Sequence, residues 1–589
     1  MKDSLTKRKT KARVAPRTPT CVAPRTHARL ASRALSIVTS RALSIVALRT
    51  LAFAALVALA ASVTNAQHDP HQHHTAQPTP TPASTPAATP SSTPATVSAP
   101  ATTPASAPSP ANTPAQAPST REGVTTTKDA AVDHTAHGAT SGGAASSSST
   151  PAASPAAREF GAGSLFVMEG GEMGVRVGAS ASQVIPMGQM GSGTSWQPAS
   201  TPTHMWPHIQ AGEWLVMLHG EAKIGVNRQG GPRGVTKFES QNWLMPMAFR
   251  RVGPGTLQLR GMFSIEPLTF SGAGSPQLFQ TGEVYNGRPI VDAQHPHDLL
   301  MELSAQYTVP VGERATAYAY LGFPGEPALG PVAFMHRASA SENPSAPLAH
   351  HLQDSTHISF GVFTAGFTYR RVKVEGSLFN GREPDDRRYN LEFNPWNSRS
   401  VRVSVAPARN WALQYSYGFL RNPEFFTPGD THRQTASLQY NRPLARGNWA
   451  SAFIWGRNRE SHDGAVFRLN GYLLESTLNF IDKNYVYTRL ELVDREGEDL
   501  LSHDELHDLG FGEGEHPQFR VGAFTFGGAR ELWNTEKLST ALGADVTFYS
   551  KPDVLDAVYG RSPVSFKIFF RLRPGKTAHG GGHAGHGLD

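Results

Sequence analysis

The strongest constraint on the fold is an alternation of apolar and polar side chains with a period of two residues. Near the end of the chain, Phe566 and Ile568 alternate with Ser565 and Lys567. Side chains alternate between the two faces of a β-strand, so one face of this segment is apolar and the other is largely polar. The pattern recurs many times after Glu213. Many strands of about 9–11 residues with one apolar face are typical of a transmembrane β-barrel.

The alternating pattern can be followed through a series of candidate strands. Their approximate bounds are 213–226, 241–251, 255–268, 298–309, 314–321, 355–370, 372–380, 400–406, 411–420, 432–441, 448–457, 471–480, 484–493, 518–527, 538–549 and 564–573. Some of these can be hairpins within loops, and single-chain bacterial barrels have an even number of strands. The sequence therefore predicts an all-β, antiparallel transmembrane barrel of about 14 strands, within a range of about 12–16.

The connections between the strands fall into two classes. Short turns such as 311–313 and 370–371 suit the periplasmic side of a barrel, and long polar stretches at 322–354, 381–399 and 494–517 suit extracellular loops. Aromatic residues near strand ends fit the girdles at a membrane interface, although ordinary sheets use tryptophan in the same way. These are Trp243, Trp411, Trp449, Trp455 and Trp533.

A large soluble β-sandwich is the alternative fold, because its strands also alternate. A sandwich would bury the apolar face inside and would tend to have shorter strands, whereas a barrel places the Arg, Lys and Glu residues of the other face in a water-filled lumen at little cost. The frequency of these residues favours the barrel, and with it the bacterial outer membrane as the location and outer-membrane lipid as a partner.

Composition predicts the remaining domain boundaries. Residues 1–66 resemble an export signal, with a basic start, an apolar core and a small-residue site ending at Ala66. Residues 67–157 form a histidine-bearing and then Pro/Ala/Ser/Thr-rich linker, which we expect to be disordered. A Gly/Met-rich lead-in at 158–212, the barrel at 213–574 and a Gly/His-rich tail at 575–589 follow. Repeats within the long basic start leave two readings open, a downstream translation start or a tolerated extension.

Cysteine content and charge exclude several functions. The only cysteine, Cys21, lies within the signal, so the exported chain has no thiol for a disulfide, a zinc–thiolate site or a nucleophile. Much of the formal charge of +7 also belongs to the signal, so it does not indicate a nucleic-acid partner. We find no phosphate-binding loop and no assignable Ser–His pair, and we therefore predict that the protein is not an enzyme.

Histidine points to metal contact at both ends of the exported chain. Imidazole is the commonest metal ligand among side chains, and flexible histidine tracts bind Cu(II), Ni(II) or Zn(II) without a preset geometry. A low-complexity segment with no role is the alternative reading. The candidate residues are His68, His71, His73 and His74 at the start and His579, His583 and His586 at the end.

Two tighter histidine pairs precede predicted strands. His204 and His208 flank Met205-Trp206-Pro207, and His295 and His297 flank Pro296. Alternating residues of an extended chain point the same way, so His295 and His297 can chelate a metal, with Asp298 as a further partner. His204 and His208 are further candidate ligands. The alternative is a structural turn in which Asp298 caps backbone amides.

Methionine is unevenly distributed along the chain. Apart from the initiator, every methionine lies between Met168 and Met335. Thioether sulfur is a soft ligand that favours Cu(I). For the stretch from Met168 to Met205 metal contact and packing stay open, whereas Met217, Met245, Met247 and Met262 are predicted to pack or to face lipid.

Several long motifs resemble an uncharacterised family of bacterial outer-membrane barrels associated with copper-handling gene clusters. The motifs include GTSWQPAS (193–200), QLFQTGEVYNGRP (277–289), QHPHDLLMEL (294–303), FNGREPDD (379–386) and YVYTRLELVDR (485–495). The chain is also loosely similar to copper resistance protein B, in which a His/Met-bearing start precedes a barrel. It departs from that pattern in its long Pro/Thr/Ala linker and in lacking dense Met-His repeats.

Three functional hypotheses follow from these features. The resemblance and the histidine tracts favour an outer-membrane barrel for metal resistance or trafficking, with copper ions as the candidate cofactor and periplasmic metal-handling proteins as partners. The alternative is a general porin-like or structural barrel with incidental histidine tracts. An outer-membrane hydrolase is the third and least supported hypothesis.

Overall fold

The computed structural model describes residues 165–169, 172–180, 183–206, 209–425, 427–462, 464–535 and 537–575. The chain divides into two units, Met1–Thr140 and Ser141–Asp589, and every described residue belongs to the second. The predicted signal peptide and histidine tracts lie outside the described residues.

The described chain is almost entirely β-structure, with 22 strands in chain order. They are β1 (Phe166–Glu169), β2 (Glu172–Arg176), β3 (Val184–Pro186), β4 (Ile209–Ala211), β5 (Trp214–Arg228), β6 (Thr236–Val252), β7 (Gly255–Phe263), β8 (Ser275–Tyr285), β9 (Arg288–Gln294), β10 (Leu300–Val311), β11 (Ala315–Gly322), β12 (Val362–Tyr369), β13 (Val372–Phe379), β14 (Ser398–Val405), β15 (Trp411–Arg421), β16 (Asp430–Leu444), β17 (Gly447–His462), β18 (Ala465–Phe480), β19 (Asn484–Glu496), β20 (Gln518–Asn534), β21 (Leu538–Ser550) and β22 (Val564–Pro574).

Within the described residues, helices are few and short, and all of them lie in the connections between strands. The α-helices are α1 (Glu266–Thr269), α2 (His350–Gln353), α3 (Gly497–Leu500), α4 (His503–Asp508) and α5 (Asp556–Tyr559), and the 3₁₀ turns are Met187–Gln189, Phe334–His336, Ser355–His357 and Asp553–Leu555. No helix among the described residues is both long enough and apolar enough to cross a membrane.

Strands β5–β7 and β10–β22 pair in sequence and close into an antiparallel barrel. The seam joins the last strand to the first, with Ile568 opposite Val226 and Leu572 opposite Ala222. β4 adds a short pairing beside the start of β5. The β8–β9 hairpin interrupts the order between β7 and β10, and β1–β3 form a separate small sheet. The predicted all-β antiparallel barrel is confirmed.

The barrel has 16 strands rather than about 14. All of the alternating segments that the sequence shows are barrel strands. The lower number assumed that some of the short segments were loop hairpins, but β11, β12 and β13 of eight residues each pair along their full length. The β8–β9 hairpin is not part of the barrel wall. Both faces of β8 are buried along most of its length, so its sequence does not alternate between apolar and polar residues.

The two faces of the barrel strands differ as predicted. On β22, Phe566 and Ile568 are 40% and 51% exposed on the outside, whereas Lys567 and Arg571 are 5% and 0% exposed on the inside. An apolar outer face on a closed barrel, in which every strand edge is paired, is the arrangement that a lipid bilayer requires. The protein is therefore a barrel of the bacterial outer membrane.

The lumen is filled with protein rather than with water alone. Residues 323–361, which connect β11 to β12 and are called the luminal segment here, fold inward, and their Leu329, Leu348 and Leu352 are at most 2% exposed. The lead-in also contacts the inner wall, where Arg402 Nη2 donates to Thr194 Oγ1 at 2.8 Å. The stretch at 322–354, predicted as an extracellular loop, connects the strand ends opposite the short turns, and it folds into the lumen because it is rich in Ala, Pro, Leu and Phe and poor in charge.

Glycines in the barrel wall make room for helix α2. Gly456 of β17 and Gly471 of β18 are paired across the two strands. A Cβ atom at Gly456 would lie 2.2 Å from the backbone oxygen of Leu352, and one at Gly471 would lie 2.6 Å from Cβ of Ala349. The glycine pair therefore lets the backbone of α2 approach the wall closely.

Candidate metal centre

Five histidines from three parts of the chain meet inside the barrel. His295 and His297 lie between β9 and β10, His350 and His351 lie on α2, and His357 lies in the following 3₁₀ turn, and all five are buried. Ring centroids are 5.6 Å apart for His295–His351, 5.2 Å for His350–His351 and 5.2 Å for His297–His357. The luminal segment and the β9–β10 connection together create this cluster, called the histidine centre here.

Three members of the histidine centre have the spacing of a ligand set. His295, His350 and His351 each offer a ring nitrogen, and these atoms all lie within 4.8 Å of one another. The Nε2 atoms of His350 and His351 are buried and form no hydrogen bond within the described part of the chain. The Nε2 atom of His295 lies 3.0 Å from Glu283 Oε1, but outside hydrogen-bond geometry.

Carboxylates and carbonyls hold the opposite edge of each ring. The Nδ1 contacts of the five rings are His350 to Asp354 Oδ1 at 2.7 Å, His351 to Glu383 Oε1 at 2.9 Å, His297 to Glu266 Oε2 at 2.7 Å, His357 to the Asp354 carbonyl at 2.8 Å and His295 to the Pro296 carbonyl at 3.2 Å. A histidine that ligates a metal almost always donates its other ring N–H to such a group, which fixes the tautomer and the ring orientation. The residues present therefore fit a metal ion bound through Nε2 atoms.

Burial also keeps three of the rings, those of His295, His350 and His357, in the form that a metal requires. Burial lowers the pKa of His295, and the positive charge of Arg388 acts in the same direction. Burial likewise lowers the pKa of His350 and of His357, against the opposing effect of Asp354. Neutral imidazole is the ligating form, so these rings need not lose a proton at neutral pH.

Arginines compensate part of the negative charge around the centre. Arg337 Nη1 lies 2.7 Å from Asp354 Oδ2, and its Nε lies 2.7 Å from Glu475 Oε1 on β18. Arg388 is paired with Glu283, whose backbone has a φ of 62°. A non-glycine residue in the left-handed region is strained, and such strain concentrates at functional sites.

Two further groups extend the polar interior beyond the histidine centre. One ligand atom from each of His351, Glu383 and Glu424 lies within 4.8 Å of the others, and the same holds for Glu460, His462 and Glu496. Burial raises the pKa of Glu424 well above its usual value, as do the neighbouring acids. Carboxylate oxygen and imidazole both suit divalent cations, so these groups are secondary candidates.

The structure brings together only part of the predicted histidine set. His295 and His297 belong to one cluster, but Asp298 lies toward Arg388, with 3.8 Å between Oδ1 and Nη1. His204 lines a different cavity, among methionines. The other predicted ligands lie outside the described residues: His208, His68, His71, His73, His74, His579, His583 and His586. Their part in metal binding stays a prediction.

Sequence reasoning missed His350, His351 and His357, because the stretch that carries them was assigned to an extracellular loop. A usable signal was present in AHHLQDSTH at 349–357, where Asp354 follows His350 by four residues. Residues four apart face each other across one helical turn, which is the contact observed between the ring and the carboxylate.

Comparisons with known proteins find porins and related outer-membrane channels among solved structures. Outer-membrane OmpT of Vibrio cholerae matches with a TM-score of 0.38 at 8% identity, over 62% of this chain and 100% of that one. An anion-selective porin from Comamonas acidovorans matches with a TM-score of 0.37 at 10% identity, over 61% and 100%. The outer membrane channel DcaP of Acinetobacter baumannii matches with a TM-score of 0.34 at 9% identity, over 62% and 100%. No family model and no curated protein matches the chain.

Proposed function

We propose that this outer-membrane barrel binds a transition-metal ion at the luminal histidine centre and takes part in metal resistance or trafficking. One observation carries the proposal: buried rings present unpaired Nε2 atoms to one another while carboxylates or carbonyls hold their Nδ1 atoms. A purely structural cluster would be expected to satisfy both nitrogens of a buried ring, because an unpaired buried polar atom costs about 1–3 kcal/mol.

The ligand chemistry limits the choice of metal. Imidazole donors suit Zn(II), Cu(II), Ni(II) and iron, whereas Mg²⁺ and Ca²⁺ prefer oxygen. The motif resemblance to barrels of copper-handling clusters favours copper within that group. In this proposal the ion is cargo or a regulator of the barrel, and periplasmic metal-handling proteins deliver or receive it.

Porin-like diffusion is the second candidate function. The closed 16-stranded barrel with a charged inner wall favours it. The packed luminal segment opposes it, because Leu348 and Ala349 are 0% exposed where a channel would need open space. Planar-bilayer conductance tests this candidate: a steady open-channel current without metal supports porin-like diffusion, and a closed barrel counts against it.

The direct test is Zn(II) and Cu(II) binding to the detergent-folded full chain and to a His350→Gln/His351→Gln variant. We expect the variant to lose one equivalent of tightly bound metal by calorimetry. The Cu(II) electron paramagnetic resonance spectrum should at the same time lose the nitrogen splitting that the luminal site contributes.

The matched control is His516→Gln, since His516 also pairs with a carboxylate, Glu498 at 2.9 Å, but lies partly exposed outside the centre. A His295→Gln variant serves if the double variant fails to fold. Equal metal stoichiometry in the wild type, the control and all centre variants would refute the proposal.

A further inference from the structure

An internal cavity, distinct from the histidine centre in its chemistry, is lined in part by methionines. It has a volume of about 90 Å³. Its lining includes six methionines, which are Met187, Met190, Met205, Met245, Met247 and Met335. Met245 and Met247 lie in the second half of β6, which ends at the two-residue turn before β7. The cavity therefore lies toward the short-turn end of the barrel, which is the periplasmic end in bacterial barrels.

Methionine is concentrated around this cavity far beyond what packing requires. Seven of the 12 buried members of the surrounding cluster are methionines. Three more, Met173, Met190 and Met335, pack against it, so ten of the 12 methionines in the chain gather here. A core built for packing uses mainly Leu, Ile, Val and Phe, with methionine as an occasional filler of gaps. Four of these methionines were predicted either to face lipid or to pack: Met217, Met245, Met247 and Met262. All four pack within this buried cluster, and none of them faces lipid.

Aromatic and imidazole rings complete the wall of the cavity. His219 and His336 have ring centroids 5.8 Å apart, and Trp243 lies 4.7 Å from the first and 4.6 Å from the second. Both histidines line the cavity and keep part of their surface accessible. Trp243 therefore faces inward rather than joining a membrane girdle, and its ring can attract a cation.

Positive side chains at the cavity do not exclude a cation, because acids compensate them. Arg260 lies 3.0 Å from Glu302, Arg337 lies 2.7 Å from Asp354, and Arg573 lies 3.0 Å from Glu342. Each guanidinium thus has a buried carboxylate partner. The remaining repulsion between these arginines and a bound cation is smaller for a monovalent ion than for a divalent ion.

One short turn connects the cavity to the histidine centre. Phe334 lies 6.1 Å from His297 and 5.5 Å from His350, measured between ring centroids. The next two residues of the same 3₁₀ turn, Met335 and His336, line the methionine cavity. The two sites are therefore neighbours along the inside of the barrel.

From this geometry we infer that the methionine cavity binds a soft monovalent metal cation, Cu(I) or Ag(I), through thioethers including Met245, Met247 and Met335, with His336 as the imidazole partner. Thioether sulfur selects soft ions, and it persists in an oxidising compartment where thiolates do not. The site differs from the histidine centre in ligands and in metal class, so it adds a separate function to the barrel. It does not require the proposed function to be correct.

Ag(I) is the probe for the test, because it is soft, monovalent and stable to oxidation. The full chain, folded in detergent, is loaded with Ag(I) in chloride-free buffer, and its metal content is measured after dialysis. X-ray absorption at the silver edge then reports whether sulfur is a ligand. We expect sulfur coordination in the wild type. A Met245→Leu/Met247→Leu variant should lose one equivalent of silver and most of the sulfur signal.

The matched control is Met301→Leu, which removes a thioether of the same buried cluster that does not line the cavity. Leucine conserves the side-chain volume, so the variants should fold. A Met335→Leu variant replaces the double variant if that one misfolds. Silver bound only through nitrogen, equal silver in the wild type and the cavity variants, or no retained silver would each overturn the inference.

Zn(II) binding in the same variants separates this inference from the proposed function. If the methionine variants lose silver and retain zinc, the two sites are independent. If the His350→Gln/His351→Gln variant loses zinc and retains sulfur-bound silver, silver binding in the methionine cavity does not depend on the histidine centre. If zinc binding holds while silver binding fails, only the methionine site is refuted.

Discussion

Arg337 holds the luminal segment against the barrel wall, and replacing it with methionine should release that segment without opening the barrel. Its side chain is 0% exposed and donates to Glu475 on β18 and to Asp354 within the segment, each at 2.7 Å. Removing one member of a buried ion pair costs about 3–5 kcal/mol.

The expected cost of Arg337→Met lies at the lower end of that range, because each acid keeps another partner. Glu475 Oε2 still accepts from Arg489 at 3.1 Å, and Asp354 Oδ1 still lies 2.7 Å from His350 Nδ1. If the free energy of opening the luminal segment falls by about 3 kcal/mol, the open state becomes about 100-fold more populated. The substitution does not alter the backbone hydrogen bonds between barrel strands, so the strands should keep their protection against hydrogen exchange.

Hydrogen exchange with mass spectrometry measures both quantities in one sample. Peptides from the luminal segment should exchange about 100-fold faster in Arg337→Met, whereas peptides from β16–β18 should not change. The control is Arg520→Met, because Arg520 pairs with Asp494 at 2.7 Å but its side chain is 58% exposed, so we expect at most about 1 kcal/mol. A luminal segment that stays protected against exchange in Arg337→Met, or barrel strands that lose protection together with it, would contradict this role of Arg337.

Three further predictions concern other parts of the barrel. Burial raises the pKa of Glu326 in the luminal segment from 4.5 to about 8, so the native state binds this proton more tightly than the unfolded state does. The free energy of unfolding should therefore fall by about 2–3 kcal/mol between about pH 6 and pH 8. Glu326→Gln should abolish this pH dependence in thermal unfolding. Gly456→Ala places a Cβ atom 2.2 Å from the Leu352 carbonyl oxygen, so it should displace α2 and weaken Zn(II) binding at least tenfold by calorimetry. The control is Gly376→Ala, whose Cβ atom would have its nearest contact 3.8 Å away and should leave Zn(II) binding unchanged. Ile568→Arg introduces a charge on the lipid face and should cost about 2–4 kcal/mol in vesicle folding measurements, while Ile568→Leu should be close to neutral; equal stability of these two variants would contradict the assigned outer face.

The barrel could be predicted from sequence because its signal is local. Each strand has its own alternation, so Phe566 and Lys567 reveal two faces without knowledge of any partner strand. The strand number was harder to predict, since a short alternating segment such as β13 looks the same in a loop hairpin and in a barrel wall. Only pairing along both edges distinguishes the two cases.

The interior could not be predicted in the same way, because its contacts join residues far apart in the chain. His295 and His297 were identifiable from their spacing, but His350 and His351 reach them only when the luminal segment folds inward. That fold depends on Gly456 and Gly471, which provide space in the wall for α2, and no local pattern marks a glycine for such a role. The low charge of the luminal segment and its content of Ala, Pro, Leu and Phe were the sequence clues to its burial.

The most direct test of the metal-binding account is a crystal structure of the protein soaked in Zn(II), with anomalous difference density measured at the zinc edge. The account predicts a strong peak among the Nε2 atoms of His295, His350 and His351. A crystal that shows zinc elsewhere on the protein, and none within the histidine centre, would contradict it.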